Sequence, residues 1–216
     1  MLTQICFMRI LIIDDHAIVR RGMSSLLQEH IKGVEIGEAE DAKTGLAAVT
    51  REPWDLAMVD INMPGRNGLE LIQDLKVEKP TLRILVVSSH LEKDYALRAL
   101  KSGAAGYVSK QSAADVLVTA VQRVLSGRRY ISPALAEQLA GALAGEAAGT
   151  SHEALSNREL QVLRLIAMGK SIKEISSELA LSAKTVATYR SRIAEKMSLS
   201  SNVELTRYAM QHGLVD

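Results

Sequence analysis

Between Arg9 and Ser126 short apolar runs alternate with longer segments in which apolar residues recur every three or four positions. The short runs are Arg9–Ile13, Val34–Glu38, Leu56–Val59, Arg83–Val87 and Gly106–Val108. They have the length of strands, and most are near-continuously apolar, as strands buried on both faces of a parallel sheet are. The longer segments predict helices over His16–Glu29, Asp41–Thr50, Gly68–Val77, Asp94–Ser102 and Ala113–Ser126. Val19, Met23, Leu26 and Leu27 share one face of the first helix, and Val116, Leu117, Ala120, Val121 and Val124 share one face of the fifth.

Five strand–helix units in succession make a doubly wound α/β domain, and right-handed crossovers leave few strand orders open. We expect a flavodoxin-like five-stranded parallel sheet over residues 8–127. The pattern then changes. Residues 128–153 read as a short helix followed by a flexible linker, because Ala144 to Ser151 offers short side chains, two glycines and no apolar anchor. Ser156-x-x-Glu159, Ser171-x-x-Glu174 and Ser182 then mark three helix starts in close succession, and a fourth helix follows from about Asn202. The tight connection Ala180-Leu181-Ser182 makes the second and third of these a helix-turn-helix, within a small all-α four-helix domain over 154–216. Its expected core comprises Leu160, Val162, Leu163, Ile166, Ile172, Ile175, Leu179, Val186, Ile193 and Met197.

Composition narrows the class without changing this picture. Of 216 residues 47% are hydrophobic and 24% charged, which favours neither disorder nor a membrane protein. No apolar run approaches the roughly 18 residues of a membrane span, and we expect a cytoplasmic protein with no membrane partner. Cys6 is the single cysteine, so no internal disulfide framework exists and a zinc site is disfavoured. Met1 to Phe7 lack the features of a signal peptide and read as an extension ahead of the first strand. Charge is uneven. Residues 1–127 carry 15 basic against 16 acidic side chains, and residues 128–216 carry 11 against 9. Ser182 to Met197 holds Lys184, Arg190, Arg192 and Lys196 against Glu195 alone, a basic face on one helix.

The chemistry gathers at strand ends. Leu56–Val59 runs into Asp60 and then breaks at Pro64, Gly65 and Gly68. In an open α/β sheet, ligands bind beyond the carboxyl ends of the strands. Asp14 and Asp15 end the first strand, Ser88 the fourth, and Lys110 follows the fifth. Three carboxylates so close repel one another unless a cation or Lys110 offsets them. Hard oxygen donors awaiting a phosphate suit Mg2+. The set therefore predicts phosphoryl transfer to the Asp60 carboxylate, with Lys110 and Mg2+ stabilising charge and the Ser88 hydroxyl bonding a phosphoryl oxygen. The residues alone also allow a structural role, in which Asp14 and Asp15 cap the first helix and Lys110 serves a turn. His16, in the first turn of that helix, is assigned no chemistry.

Asp14-Asp15, Val59-Asp60-Ile61-Asn62-Met63-Pro64-Gly65 with Asn67-Gly68, Val86-Val87-Ser88-Ser89, and Gly103 to Lys110 together resemble the receiver domain of two-component response regulators. The resemblance implies that Asp60 is the phosphoacceptor and that Asp15, Asp60 and the Asn62 main-chain carbonyl bind Mg2+ directly, with Asp14 assisting. It also implies that Ser88 and Tyr107 form a switch pair.

In the second domain Leu155 to Glu159, Gly169 to Ile175 and Leu181 to Val186 resemble the LuxR/FixJ-type DNA-binding domain, and receiver plus this domain resembles the NarL/FixJ class. The helix from about Ala183 to Met197 would then enter the major groove of double-stranded promoter DNA. Candidate contacts are Lys184, Thr185, Ala187, Thr188, Arg190, Ser191, Arg192 and Lys196. Relatives often carry lysine at the position of Ala187 and histidine at that of Tyr189, which puts the preferred operator in doubt.

The implied partners are a sensor histidine kinase, promoter DNA and a second copy of the chain on phosphorylation, with RNA polymerase a further candidate. The resemblance also implies that the unphosphorylated receiver can cover the DNA-binding helix. Two rivals remain at this stage. One is a phosphorylation-independent DNA-binding regulator whose receiver only mediates dimerisation. The other is an aspartyl-nucleophile phosphohydrolase, which normally has a second aspartate where this chain has Asn62.

Overall fold

The computed structural model describes residues 8–64, 66–89, 92–137 and 151–215. Met1 to Phe7, Gly65 and, of the linker expected over Ala144 to Ser151, all but Ser151 lie outside the described residues. The chain divides into two compact units, residues 1–139 and 140–216.

In the first unit strands β1 (Met8–Ile13), β2 (Val34–Ala39), β3 (Leu56–Val59), β4 (Arg83–Ser88) and β5 (Gly106–Ser109) form one parallel sheet in the order β2-β1-β3-β4-β5. Helices α1 (Ala17–His30), α2 (Ala42–Arg51), α3 (Gly68–Glu78), α4 (Glu92–Lys101) and α5 (Ala114–Leu125) alternate with the strands. The doubly wound expectation therefore holds, with element ends displaced by a residue or two. All four residues of β3 are buried, as expected of a central strand covered on both faces. Ile10, Ile12, Leu56, Met58, Leu85 and Val87 pack in one cluster with Met23 and Leu27 of α1 and Leu117, Val121 and Val124 of α5. The intervening residues Leu11, Ile13, Ala57 and Val59 are equally buried. On that side Gly45 of α2 lies so near Ile13 that a Cβ would stand 2.7 Å from its Cδ1.

Local chemistry explains the helix starts. Asp41 and Thr44 form a capping box on α2, and the Asn67 side chain accepts from the Leu69 N–H at the start of α3. Neither Asp14 nor Asp15 caps α1, whose N-cap is His16 with no side-chain cap bond. Beyond α5 the chain stays with the sheet: the Tyr130 N–H donates to the Ala105 carbonyl at 3.0 Å, Tyr130 bridges Gly106, and Leu135 is buried.

The second unit has a 3-10 turn (Ser151–Ala154) and helices α6 (Asn157–Ala167), α7 (Ile172–Leu179), α8 (Ala183–Met197) and α9 (Asn202–Gln211). Ser156–Glu159 and Ser171–Glu174 are capping boxes as the spacing predicts, and Ser201–Glu204 is a third at the start of α9. α7 ends at Ala180, which takes a left-handed φ of 52° and turns the chain into Ser182, the N-cap of α8. The expected core forms with one correction. Ile172 is 41% exposed although its spacing puts it on the face of Ile175 and Leu179, because it is the first residue of α7 and stands at the end of that face. Leu205, Ala209 and Leu214 are buried as well.

Candidate functional site

Backbone pairing carries the acids to the carboxyl edge of the sheet. The Asp14 N–H donates to the Ala39 carbonyl at 3.1 Å, the Asp60 N–H to the Ile13 carbonyl at 2.9 Å, and the Lys110 N–H to the Ser88 carbonyl at 2.8 Å. Each ladder thus runs one residue past its strand and fixes the side chain that follows. Past Asp60 the chain folds back at once. The Gly68 N–H donates to the Ile61 carbonyl at 3.1 Å, and a Cβ on Gly68 would stand 2.1 Å from the Asp60 carbonyl oxygen. Only glycine permits that approach.

Lys110 Nζ lies between two buried carboxylates, 2.6 Å from Asp14 Oδ2 and 2.7 Å from Asp60 Oδ2. Asp14 and Asp60 are only 1% and 2% exposed. The other Asp60 oxygen, Oδ1, is buried and has no hydrogen-bond partner. Burial pushes the Asp60 carboxyl above its usual range, against the charge and hydrogen bond of Lys110, and Asp14 adds to the push. Lys110 is itself raised: burial works against its charge, but Asp60 and Asp14 outweigh it. One lysine therefore faces more negative charge than it neutralises. Asp14, Asp15, His16 and Asp60 each offer a donor atom, and these atoms all lie within 4.8 Å of one another. Mostly hard oxygen donors, one of them buried and bare, fit a divalent cation.

Ser88 is fully buried at the end of β4, opposite Ser109 in the register, and Tyr107 sits on β5 opposite Val86 with its ring 1% exposed. Asn62 follows Asp60 by two residues and is half-buried. The structure thus brings Asp14, Asp15, Asp60 and Lys110 together and puts Ser88 and Tyr107 on the neighbouring strands. It also adds His16, to which sequence reasoning gave no role. His16 Nδ1 lies 2.8 Å from Asp15 Oδ1 and 3.3 Å from Asp14 Oδ1. Its only signal in the sequence is adjacency to the acid pair.

In the second unit α8 buries Val186, Ile193 and Met197. Lys184, Thr188, Ser191 and Arg192 are exposed, while Thr185, Ala187 and Arg190 are half-exposed. Several candidates already have partners. The Thr188 and Ser191 hydroxyls donate to the Lys184 and Ala187 carbonyls, Ser182 and Thr185 bond each other, and Arg190 Nε donates to Asn202 Oδ1 at 2.7 Å. Lys196 Nζ donates at 2.6 Å to Glu159 Oε2, the capping-box acid of α6, and so helps hold α8 on α6. Lys196 and burial act oppositely on Glu159: burial raises its carboxyl, but the Lys196 and Ser156 hydrogen bonds leave it lowered.

Comparison with known proteins agrees with the reading of both units. Residues 10–122 match the response regulator receiver domain, and residues 153–209 match the bacterial regulatory proteins of the luxR family. The response regulator GacA of Pseudomonas protegens is 38% identical over 209 residues, covering 96% of this chain and 98% of that protein. The response regulator UvrY of Escherichia coli K12 is 36% identical over 207 residues, covering 95% and 94%. Among solved structures, RcsB of Salmonella enterica serovar Typhimurium, bound to promoter rprA in the presence of phosphomimetic BeF3−, aligns with a TM-score of 0.66 at 28% identity. That alignment covers 93% of this chain and 97% of RcsB. A receiver sheet with its acid cluster, followed by a LuxR-type helix-turn-helix along nearly the whole length of such relatives, makes this chain a member of the LuxR-family two-component response regulators, a DNA-binding transcriptional regulator.

Proposed function

We propose that Asp60 is the phosphoacceptor and that its phosphorylation by a sensor histidine kinase in the cytoplasm controls how residues 154–216 bind promoter DNA. The observation that carries this reading is the Asp60 carboxylate itself, buried at the end of β3 with Oδ2 on Lys110 and Oδ1 bare. A carboxylate so placed is a poised nucleophile. It attacks the phosphorus of the donor, the phosphorus–nitrogen bond of a phosphohistidine breaks, and the leaving imidazole takes up a proton. Lys110 holds the carboxylate in place and meets the new charge on the phosphoryl oxygens. Asp14, Asp15 and Asp60, with the Asn62 main-chain carbonyl, would hold Mg2+, which supplies positive charge to the transferring group.

Ser88 would donate its hydroxyl to a phosphoryl oxygen, and Tyr107, on the neighbouring strand, would report the change through the packing of its ring. The modification exchanges the carboxylate's single negative charge for about −1.5 to −2 on the acyl phosphate, at a site already short of positive charge. In the second unit α8 would lie in the major groove, with Lys184 and Arg192 on phosphates and Ala187, Thr188 and Ser191 toward bases. RcsB bound to promoter rprA supports DNA binding by this unit, and RcsB dimers bound to two parallel DNAs support a dimeric arrangement.

The test treats wild type and Asp60→Asn with a small phosphodonor and Mg2+, then measures binding to DNA selected from a random pool. Wild type should take up one phosphoryl group and bind DNA more tightly, and the variant should do neither. Phosphate incorporation into the variant would sink the assignment of Asp60, equal DNA affinity with and without phosphate would favour a phosphorylation-independent regulator, and sustained turnover of phosphate esters would favour a hydrolase.

A further inference from the structure

The receiver's cation site has a donor outside the oxygen set. We propose that His16 supplies an imidazole nitrogen to that site, so that it takes six-coordinate transition ions of the Mn2+ to Co2+ class ahead of Mg2+. The proposal rests on reading Asp14, Asp15 and Asp60 as a cation site.

Spacing is its first support. Neighbouring ligands of a six-coordinate ion with bonds of about 2.1 Å lie about 3 Å apart, and opposite ones about 4.2 Å. His16 Nδ1 lies 2.8 Å from Asp15 Oδ1 and 3.3 Å from Asp14 Oδ1, the spacing of adjacent ligands. All four donors fall within 4.8 Å of one another, close to the span of one coordination shell.

The second support is how His16 is held. Its backbone N–H donates to Asp14 Oδ1 at 2.8 Å, which pins the residue at the start of α1, and its side chain makes no cap bond there. The imidazole stands beside both acids, and at 61% exposure it lies where an ion can enter from solvent.

The third support is independent of His16. Asp60 Oδ1 is buried and has no hydrogen-bond partner, and Asp60 is one of the four residues of the group. A shell of three carboxylates and one imidazole is less suited to Mg2+, which prefers all-oxygen surroundings, than to ions that accept nitrogen readily.

The experiment uses the full chain without phosphodonor. Electron spin echo spectroscopy on bound Mn2+ should detect modulation from an imidazole nitrogen in wild type and none in His16→Ala. Calorimetric titration should show Co2+ affinity falling about tenfold in His16→Ala, with Mg2+ affinity changed far less. Asp60→Asn should weaken both ions together. Mn2+ bound without nitrogen modulation, or equal losses for Co2+ and Mg2+ in His16→Ala, would overturn the role of His16 and leave the cation site standing. Absence of any Mn2+ or Mg2+ binding would overturn both. The wild-type echo measurement needs no variant, so misfolding of His16→Ala cannot mask the answer.

Discussion

The two ends of the parallel sheet each gather acids around one base. At the amino end Arg9 Nη2 pairs with Glu35 at 3.0 Å and Glu52 at 2.5 Å, and Nη1 donates to the Pro53 carbonyl at 2.9 Å. The Arg9 backbone N–H donates to Asp55 Oδ2, and the guanidinium lies 4.5 Å above the Trp54 ring. Glu35 and Glu52 remain about half exposed, so water solvates whatever the arginine leaves. At the carboxyl end Asp14 and Asp60 are almost wholly buried and share a lysine with fewer donors and no planar fork. An acid cluster whose charge is met by water and a guanidinium is complete as it stands. One buried with an oxygen bare is complete only when another positive charge arrives, and that distinguishes a structural knot from a reactive one.

The largest expected effect breaks this contrast directly. Lys110→Ala removes the donor shared by Asp14 and Asp60, and phosphoryl uptake from a small donor should slow about 100-fold, the loss typical of removing one charge-stabilising group. Arg9→Ala should leave that rate unchanged. Equal losses in the two variants would mean that the ends are not functionally distinct.

A smaller effect comes from Gly37 and Gly68, the two glycines pressed hardest by their surroundings. Gly68→Ala sets a Cβ 2.1 Å from the Asp60 carbonyl oxygen, so the backbone carrying the nucleophile must move. Gly37→Ala sets one 2.2 Å from Cη2 of Trp54, whose ring lies on β2 beneath Arg9. Both should cost about 1–3 kcal/mol in urea unfolding, as overpacked sites do. Only Gly68→Ala should also slow phosphorylation. A Gly37→Ala chain that phosphorylates as slowly would show that strain at one end of the sheet reaches the other.

The strands, their order and the acids at their ends were legible because period, run length and turn residues all agree in this sequence. So were the capping boxes at Ser156 and Ser171, which are local by nature. Ile172 was misplaced because helical spacing fixes a face but not how far along it burial extends, and the first residue of a helix can stand at its uncovered end. Lys196 and Arg190 read as free cations because their partners, Glu159 and Asn202, lie on other helices. Tyr130, expected in a connecting segment, is held by a backbone bond to Ala105 and a bridge to Gly106 that no side-chain pattern encodes. His16 was passed over for a related reason: a histidine in a first helical turn usually faces solvent, and only the fold shows its ring beside Asp14 and Asp15.

The finest contrast between the two ends lies in the sign of their pH dependence. Burial holds the Asp60 carboxyl above its ordinary 3.8 despite Lys110, so the folded chain binds that proton more tightly than the unfolded chain does. The associated stability is full below 3.8 and is lost as pH rises through the raised value. Glu52 behaves oppositely. The Arg9 hydrogen bond and charge hold it below its ordinary 4.5, so its stabilisation is present above 4.5 and is lost as pH falls through the lowered value. Asp60→Asn should therefore raise the urea midpoint at neutral pH, with the gain shrinking as pH approaches 3.8. Glu52→Gln should lower the midpoint slightly at neutral pH, because the pair is exposed and screened, and its deficit should also shrink in acid. Trp54, the only tryptophan of the chain, lies in the receiver and reports its unfolding by fluorescence. Shifts of the same sign for both variants would mean that Lys110 satisfies Asp60 as fully as Arg9 satisfies Glu52, and the carboxyl end would lose its claim to be the incomplete one.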